Sequence, residues 1–346
     1  MRTSRRSPRS RRSPRPGRRA ERGFTLIELM VSLVLFSFAI AGVLAVAVSM
    51  AQGYREQRQT VSTESAARNA MDFMADAVRG ASPAVQVNTV TTSTATEMIV
   101  GPIQDVANCM VGSLKVTDVS NAPDKLDVVF ASGGVVTSLA TVYDGTNSTI
   151  TVNDANNLAD GDTLLITDGT TGHLIKVGSP NAVNQTSRIV NIVAASGCTL
   201  TLPAGGYPAG SLVIRALRAS FYISTFEGVA NVLLMDPGAD GIDPEPLADH
   251  VEDMQLALGV DTNNDKVISA AEWGFSAGVG NLGSGNAVRA LRMTLIVRSP
   301  QELVGGTAGY YRPGAENRSA STAPDKFKRR TLSTTIEIRN FGGSPQ

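Results

Sequence analysis

The feature that most constrains this chain is an uninterrupted apolar run near its N-terminus. Residues 24–51 contain a single charged side chain, Glu28. As an α-helix rising about 1.5 Å per residue, this run would span roughly 40 Å, which is enough to cross the hydrocarbon core of a bilayer. The run therefore predicts a membrane-inserted helix. It also predicts a functional role for Glu28, because an unpaired charge at that depth is costly.

The residues before this run are strongly basic. The first 22 residues contain ten arginines and one acidic side chain, Glu21, so the rest of the chain has 21 basic and 30 acidic side chains and a net charge of −9. The positive-inside rule predicts that the basic arm stays cytoplasmic and that the region after the helix, the head, lies across the membrane. A basic arm can also bind nucleic acid, but the acidic head argues against that role. No nucleic-acid partner is therefore expected.

The small residue Gly23 precedes the apolar run, whereas a secretory signal has its small-residue cleavage site after the run. Cleavage at Gly23 would leave the membrane anchor in the product. Residues 22–28 (RGFTLIE) resemble the prepilin processing and N-methylation motif of type IV pilins and type II secretion pseudopilins. The resemblance implies cleavage after Gly23 by the prepilin peptidase and methylation of the new amine of Phe24. It also implies that Glu28 pairs with the N-terminal amine of the same or a neighbouring subunit, which would offset the cost of burying either charge. The alternative is a plain signal-anchor helix.

The helix is predicted to continue beyond the apolar run, because residues 54–79 contain no proline and carry an apolar stripe. Gly80 and Pro83 predict its end. Three regions follow: a cleaved basic leader (1–23), the helix (24–82) and the head (83–346). The stripe is predicted to pack on a sheet of the head, and it consists of Ala67, Ala70, Met71, Met74, Ala77 and Val78.

The head is predicted to be rich in β-strands, because the hydrophobic period changes to two from about residue 95 and turn signals separate short apolar runs. A helix followed by such a head gives an α+β fold. The segment 305–327 is rich in Gly, Ser, Ala and Pro and is predicted to be a surface loop that is free to move.

Several segments of the chain resemble parts of PilW-type minor pilins: residues 71–79 (MDFMADAVR), 161–168 (GDTLLITD), 247–256 (LADHVEDMQL) and 338–340 (IRN). The resemblance implies a non-catalytic minor pilin that helps prime or cap a type IV pilus. Such a protein would sit in the inner membrane with a periplasmic head before assembly. After assembly it would lie in the filament, in contact with other pilins through its N-terminal helix.

Two other functions remain open. One is a type II secretion pseudopilin, which uses the same helix physics in a short periplasmic filament. The other is a filament-tip adhesin or DNA-uptake module, for which Tyr310, Tyr311, Arg312 and the basic cluster 326–330 are the local candidates. An enzyme is not expected, because the sequence offers no Ser/His/Asp set, phosphate loop or histidine metal cluster.

The acidic region 236–272 contains a loop with the oxygen spacing of an EF-hand calcium site. Counted from the first residue of the segment 261–272 (DTNNDKVISAAE), oxygen ligands stand at positions 1, 3, 5, 9 and 12, and position 7 offers a backbone carbonyl. Position 6 departs from the pattern, since Lys266 replaces the usual glycine of the sharp turn. A calcium ion is therefore predicted at Asp261, Asn263, Asp265, Val267, Ser269 and Glu272. A solvated turn is the alternative, and the nearby Asp236, Asp240 and Asp243 form a poorer candidate.

The two cysteines, Cys109 and Cys198, fit no metal-binding spacing. In an exported protein they could form a disulfide, and otherwise they are two small buried residues. The sequence leaves both readings open.

Overall fold

The computed structural model describes residues 24–81, 85, 87, 89–105, 112–193, 202–238, 241–302 and 309–338. It contains one long helix, α1 (Leu26–Arg79), followed by a head made largely of strands. The predicted α+β class is confirmed. The predictions for Gly23, Cys109 and Cys198 concern residues outside the described ranges.

The chain divides into two compact units, Met1–Gln57 and Arg58–Gln346. In the second unit, the C-terminal part of α1 packs into the main core of the head. The helix ends where Gly80 predicts, and the Gly80 N–H donates to the carbonyl of Asp76 at 2.9 Å. The predicted apolar stripe is confirmed, since all six of its side chains are buried: Ala67, Ala70, Met71, Met74, Ala77 and Val78.

A ten-stranded sheet forms most of the described head, and only its β3–β8 pair is parallel. Strand β11 pairs with three other strands of this sheet. One side of β11 pairs with β5 along most of its length, while the other side pairs first with β7 and then with β12. The strands of the sheet are β1 (Val90–Ser93), β2 (Glu97–Val100), β3 (Ile103–Asp105), β4 (Leu114–Thr117), β5 (Lys125–Ser138), β7 (Thr163–Thr167), β8 (Gly172–Lys176), β11 (Leu212–Phe226), β12 (Val229–Pro237) and β13 (Glu245–Ala248).

A second hydrophobic core lies between residues 139 and 213. It includes buried side chains such as Leu139, Leu164, Ile175 and Val213, and it is separate from the core that holds α1. A small sheet, in the order β6-β10-β9, contributes to it. The strands of this small sheet are β6 (Thr149–Thr151), β9 (Val183–Asn184) and β10 (Ile189–Asn191).

A four-stranded antiparallel sheet completes the main core, in the order β15-β14-β16-β17. Side chains of β14, β16 and β17 pack in the same core as α1, among them Met254, Leu291 and Ile336. Its elements are β14 (Val251–Asp261), the short 3₁₀ helix η1 (Ala270–Glu272), β15 (Trp273–Gly274), β16 (Ala287–Arg298) and β17 (Arg329–Glu337).

Candidate functional site

The start of α1 carries the residues of the predicted processing motif. Phe24 lies just before the helix and is 81% exposed. The Thr25 hydroxyl oxygen accepts a hydrogen bond from the backbone N–H of Glu28 at 3.3 Å. In return, the Glu28 carboxylate accepts from the backbone N–H and the hydroxyl of Thr25, both at 3.5 Å. This reciprocal arrangement is a capping box, which satisfies N–H groups that a helix start otherwise leaves unpaired.

The span Leu26–Ala51 is long and apolar enough to cross a membrane, and none of it is buried within the protein. Its large side chains face outward, for example Ile27 at 71% exposure and Phe38 at 73%. A continuous apolar surface of this kind is rare on soluble monomers. It needs lipid or other apolar helices around it.

Two of the hydroxyl groups within this span, those of Ser32 and Ser37, are satisfied by the helix itself. Ser32 donates to the carbonyl of Glu28, and Ser37 donates to the carbonyl of Leu33 at 2.8 Å. Such bonds to the preceding turn are usual for serine in apolar helices. Among the described residues, the carboxylate of Glu28 is held by long bonds to Thr25 alone, so it can accept a further, stronger partner.

The predicted calcium loop connects β14 to η1 and contains the sharp turn that its spacing requires. At position 6, Lys266 adopts a φ of 69°, in the left-handed region where glycine is usual. The backbone N–H of Lys266 donates to Asp261 Oδ2 at 3.0 Å. The backbone N–H of Asp265 donates to Asn263 Oδ1 at 2.9 Å, and that of Val267 donates to Asp265 Oδ1 at 2.7 Å.

The first carboxylate of this loop is already paired with a cation. Asp261 is buried, and Arg289 Nε and Nη2 both lie 2.6 Å from its Oδ2. Its other oxygen, Oδ1, is buried and has no hydrogen-bond partner among the residues that the structure describes. Burial would raise the pKa of Asp261, but the bonds from Arg289 and the Lys266 N–H outweigh that effect and hold the pKa below its ordinary value.

The last carboxylate of the loop is also engaged. Glu272 Oε1 accepts from the hydroxyl and the backbone N–H of Thr262, at 2.7 and 2.9 Å. Glu272 Oε2 accepts from the hydroxyl and the backbone N–H of Ser269, at 2.8 and 3.0 Å. These bonds, led by the one from the Thr262 hydroxyl, lower the pKa of Glu272 to about 2.

These residues fit a calcium ion only in part. A cation would satisfy the unpartnered Asp261 Oδ1, but Arg289 already neutralises that carboxylate and Glu272 is saturated by hydrogen bonds. Within the described residues, no group of three or more His, Cys, Asp or Glu side chains is placed to hold a metal. Calcium binding therefore stays a prediction. Of the poorer candidate set, Asp236 is buried and accepts from the Gly241 N–H at 2.8 Å, while Asp240 lies outside the described residues.

Sequence reasoning missed a cluster of ion pairs that holds residues 309–328, called here the strap segment, against β14. Asp253 is fully buried. Its Oδ2 accepts from Arg312 Nη1 at 3.0 Å, and its Oδ1 accepts from Arg318 Nη1 at 2.5 Å. Residues 309–327 of the predicted loop form a loop that these contacts hold in place rather than leave free to move, and residues 305–308 lie outside the described residues.

Further ion pairs attach the strap segment to β16 and to the start of β17. Glu316 accepts from Arg292 Nη2 at 2.6 Å, and the Arg292 guanidinium stacks on the ring of Trp273 with 4.3 Å to the ring centroid. Arg329 binds both Glu252 and Asp325. No local signal could have revealed the main pair, because Arg312 and Asp253 lie 59 positions apart in the chain.

Two family comparisons match the chain. Residues 18–44 match the family described as the prokaryotic N-terminal methylation motif, and residues 220–340 match the family described as type IV pilus-assembly protein W, or PilW. The first match covers the start of α1 with Phe24 and Glu28. The second covers the end of β11 through β17, including the acidic loop and the strap segment. Neither the curated proteins nor the solved structures give a match to this chain.

Proposed function

Because both family matches support a PilW-like type IV pilin, we propose that the protein is a non-catalytic minor pilin that takes part in assembling a type IV pilus, in a priming or tip complex. The observation that supports this proposal best is that Phe24 and Glu28 lie at the start of an apolar helix whose surface is fully exposed. The helix surface is a large hydrophobic area that only lipid or other helices can cover. Glu28 is the one charge on it.

Assembly proceeds by transfer of α1 from the bilayer into a bundle of other subunits' helices. The prepilin peptidase cleaves after Gly23, which creates a free amine at Phe24. In the bundle, that amine and Glu28 attract each other across an apolar, low-dielectric space, where the attraction is strong. The pairing sets the axial position of one subunit against the next, because an unpaired carboxylate there is costly.

Before assembly, the capping box provides the Glu28 carboxylate with a local partner, Thr25. In the separate subunit its carboxylate is held by Thr25 at 3.5 Å, a long and therefore weak contact. Exchanging these bonds for a charged amine gives a stronger interaction, since charge-assisted hydrogen bonds are about twice as strong as neutral ones. Glu28 thus moves from a local partner to an intersubunit one.

The orientation of the protein in the membrane follows from the same helix. Before assembly the basic leader lies in the cytoplasm, α1 spans the inner membrane and the head is periplasmic; afterwards the protein is part of the filament. Its partners are the prepilin peptidase, the membrane and the apolar helices of other pilins. A type II secretion pseudopilin would use the same physics, and the match of residues 220–340 to PilW favours the pilus.

The test of this proposal separates processing from assembly. We expect Glu28→Ala to be cleaved normally after Gly23 but to reach the sheared filament fraction at least about tenfold less than the wild type, since losing one charge-assisted bond costs about 1.5–3 kcal/mol. The measurements are the mass of the cleaved N-terminus and immunoblotting of sheared filaments. Thr25→Ala, which removes the local partner and keeps the carboxylate, is the matched control and should assemble. Normal incorporation of Glu28→Ala would overturn the assembly mechanism.

We also propose that the loop 261–272 binds a calcium ion in the periplasm. The support is the left-handed turn at Lys266 and the buried, unpartnered Asp261 Oδ1. Binding requires Asp261 to exchange Arg289 for the ion and Glu272 to turn from Thr262 and Ser269. A bound cation would fix an acidic loop and offset part of the head's negative charge.

A further inference from the structure

Strand β17 lies at the edge of the four-stranded sheet, and one of its sides is open in the described part of the chain. It pairs with β16 along its whole length without a register shift, and no described strand pairs with its other side. The other strands that end a described sheet are four residues long or shorter. An edge strand offers unpaired N–H and C=O groups to another chain. Among the described strands that end a sheet, β17 therefore offers the longest edge to a further strand.

The hydrogen bonds to β16 identify the backbone groups of β17 that point outward. The Ile338 N–H donates to the Arg289 carbonyl at 3.0 Å, and the Lys328 carbonyl accepts from the Ser299 N–H at 2.7 Å. In an antiparallel pair, every second residue directs both its N–H and its C=O to the same neighbour. The even-numbered residues of β17 therefore bond to β16. The odd-numbered residues of 331–337 point their backbone groups away from it.

The sequence of β17 leaves this edge open to pairing. Its residues, Arg329–Glu337, include no proline, and the charged ones lie at its two ends. Leu332 and Ile336 are buried in the main core, whereas Ser333 and Thr335 are exposed. Natural edge strands usually carry prolines, bulges or inward-pointing charges that prevent pairing with another chain. Between its ends, β17 has none of the three.

The side chains of this edge form a pattern that is symmetric about Thr334. On the core side of the strand, Leu332 and Ile336 stand two residues before and two residues after Thr334. An antiparallel second copy centred on Thr334 sets Leu332 opposite Ile336 of the other copy and Thr334 opposite itself. On the outer side, Ser333 then faces Thr335 of the other copy, and hydroxyl pairs of this kind favour strand pairing. The edge is therefore complementary to its own copy.

This register also uses the outward backbone groups completely. Thr331 pairs with Glu337 of the other copy, and Ser333 pairs with Thr335. Each pair exchanges both of its N–H to carbonyl bonds, as hydrogen-bonded pairs of an antiparallel ladder do. The segment 331–337 then has no backbone group without a partner, since its even-numbered residues already bond to β16.

We propose that the open edge of β17 binds β17 of a second copy of this chain, antiparallel and in the register centred on Thr334. A two-fold axis relates the copies, so the same surface serves both, as in most protein dimers. Their four-stranded sheets join into one continuous sheet. This inference goes beyond pilus assembly and does not depend on it, because the surface lies on the head and includes no residue of α1.

The charge of the protein sets how this contact responds to salt. After the leader, the chain has 21 basic and 30 acidic side chains and a net charge of −9, so two copies repel each other. Salt screens that repulsion and leaves backbone hydrogen bonds nearly unchanged. We therefore expect the dissociation constant of the dimer to fall as salt is raised. The opposite trend would contradict a contact made by strand pairing.

The first test measures the association of the chain from Phe24 onward, purified in detergent, by sedimentation at increasing protein concentration. We expect a monomer–dimer equilibrium. Ser333→Pro removes an outward N–H but no bond to β16, so it should raise the dissociation constant at least about tenfold. Ser333→Ala keeps that N–H, and as the matched control it should dimerise as the wild type does. Circular dichroism checks that both variants are folded.

Cysteine cross-linking tests the register, in a background where Cys109 and Cys198 are replaced by serine. In the proposed pairing the two Thr334 Cα atoms lie roughly 4.5 Å apart, a separation that a disulfide can bridge. Thr334→Cys should therefore form a covalent dimer under mild oxidation. Thr335→Cys is the control. It is more exposed, but its two copies are diagonal neighbours roughly 7–8 Å apart, so it should cross-link much more slowly.

Three results would overturn the proposal: a monomer at every protein concentration, a Ser333→Pro variant that dimerises as well as Ser333→Ala, or cross-linking at Thr335→Cys as fast as at Thr334→Cys. The second of these is also the result expected if the apolar helix alone drives association in detergent. Because Glu28 is not part of this surface, Glu28→Ala should dimerise normally even if it fails to assemble. The two proposals can therefore fail separately.

Discussion

At the scale of single residues, Glu28 and Asp261 present the same physical problem with different solutions. Each carboxylate lies where a bare charge is costly, Glu28 on an apolar helix and Asp261 in a buried position. Asp261 has a cation from its own chain, Arg289. Among the described residues, Glu28 has only long hydrogen bonds to Thr25, so a stronger partner for it lies outside them. The sequence motif predicted the role of Glu28, whereas only the structure revealed that Arg289 pairs with Asp261.

Replacement of Arg289 tests the calcium proposal. We expect Arg289→Gln to raise the affinity for calcium at least about tenfold, because it removes a charged hydrogen bond worth about 1.5–3 kcal/mol that competes for Asp261. Isothermal titration of the detergent-purified protein with calcium measures the effect. Glu272→Gln should abolish binding, and Arg68→Gln, which changes an exposed helix arginine, should leave it unchanged. No heat of binding in either the wild type or Arg289→Gln would remove the proposal.

At the scale of elements, α1 is one helix with two different environments. Its first part exposes apolar side chains on every side, and its second part buries one stripe in the core of the head. The exposed face of the second part carries ion pairs at helical spacing, such as Arg68 with Glu64 at 2.7 Å. Such exposed pairs contribute little. Burial of the stripe is what joins this part of the helix to the strands.

Substitution of two methionines, one in each part of α1, tests the two environments of the helix separately. Met74 is fully buried in the main core, whereas Met50 is 70% exposed. We expect Met74→Ala to lower the free energy of unfolding of the head by about 2–5 kcal/mol, as for other large-to-small changes in cores. Met50→Ala should change it by less than about 0.5 kcal/mol. Chemical denaturation followed by the fluorescence of the single tryptophan, Trp273, reports on the head. Equal effects of the two changes would contradict this division of the helix.

At the scale of the whole molecule, the described part of the head has two large cores and a smaller third cluster of buried side chains. Strands β5 and β11 extend from the core that holds α1 into the second core, between residues 139 and 213. At the edge of the second core, His173 Nδ1 lies 2.8 Å from the Tyr207 hydroxyl and His173 Nε2 lies 2.9 Å from Gln104 Oε1. Burial lowers the pKa of His173 to about 4.

This histidine makes the stability of the head depend on pH. Above about pH 6.5, His173 is neutral in both the folded and the unfolded chain. As the pH falls from 6.5 to 4, the unfolded chain binds a proton at this histidine that the folded chain does not, so the contribution of His173 to stability decreases. We expect a loss of up to about 3 kcal/mol across this window. His173→Gln should remove that dependence, whereas His250→Gln should retain it. Denaturation midpoints between pH 7 and 4 measure the difference, and parallel curves for the wild type and His173→Gln would contradict it.

The sequence by itself determined the features that depend on neighbouring residues. These are the apolar span and its single charge, the Phe24 and Glu28 motif, the buried stripe of α1, the end of the helix at Gly80 and the strand-rich character of the head. The capping box was not predicted, although residues 25–28 (TLIE) match its signature. Each feature depends on a few consecutive side chains and on the regular spacing of helix or strand.

Only the tertiary structure decided which distant residues meet. It paired Arg312 with Asp253 and Arg289 with Asp261, and through these pairs it held the strap segment and occupied the first carboxylate of the acidic loop. The same packing left Lys326, Lys328 and Arg330 exposed. Charges carry no local signal of their partners, because any arginine can pair with any carboxylate. The tertiary fold decides which arginine lies close enough to which carboxylate to form an ion pair.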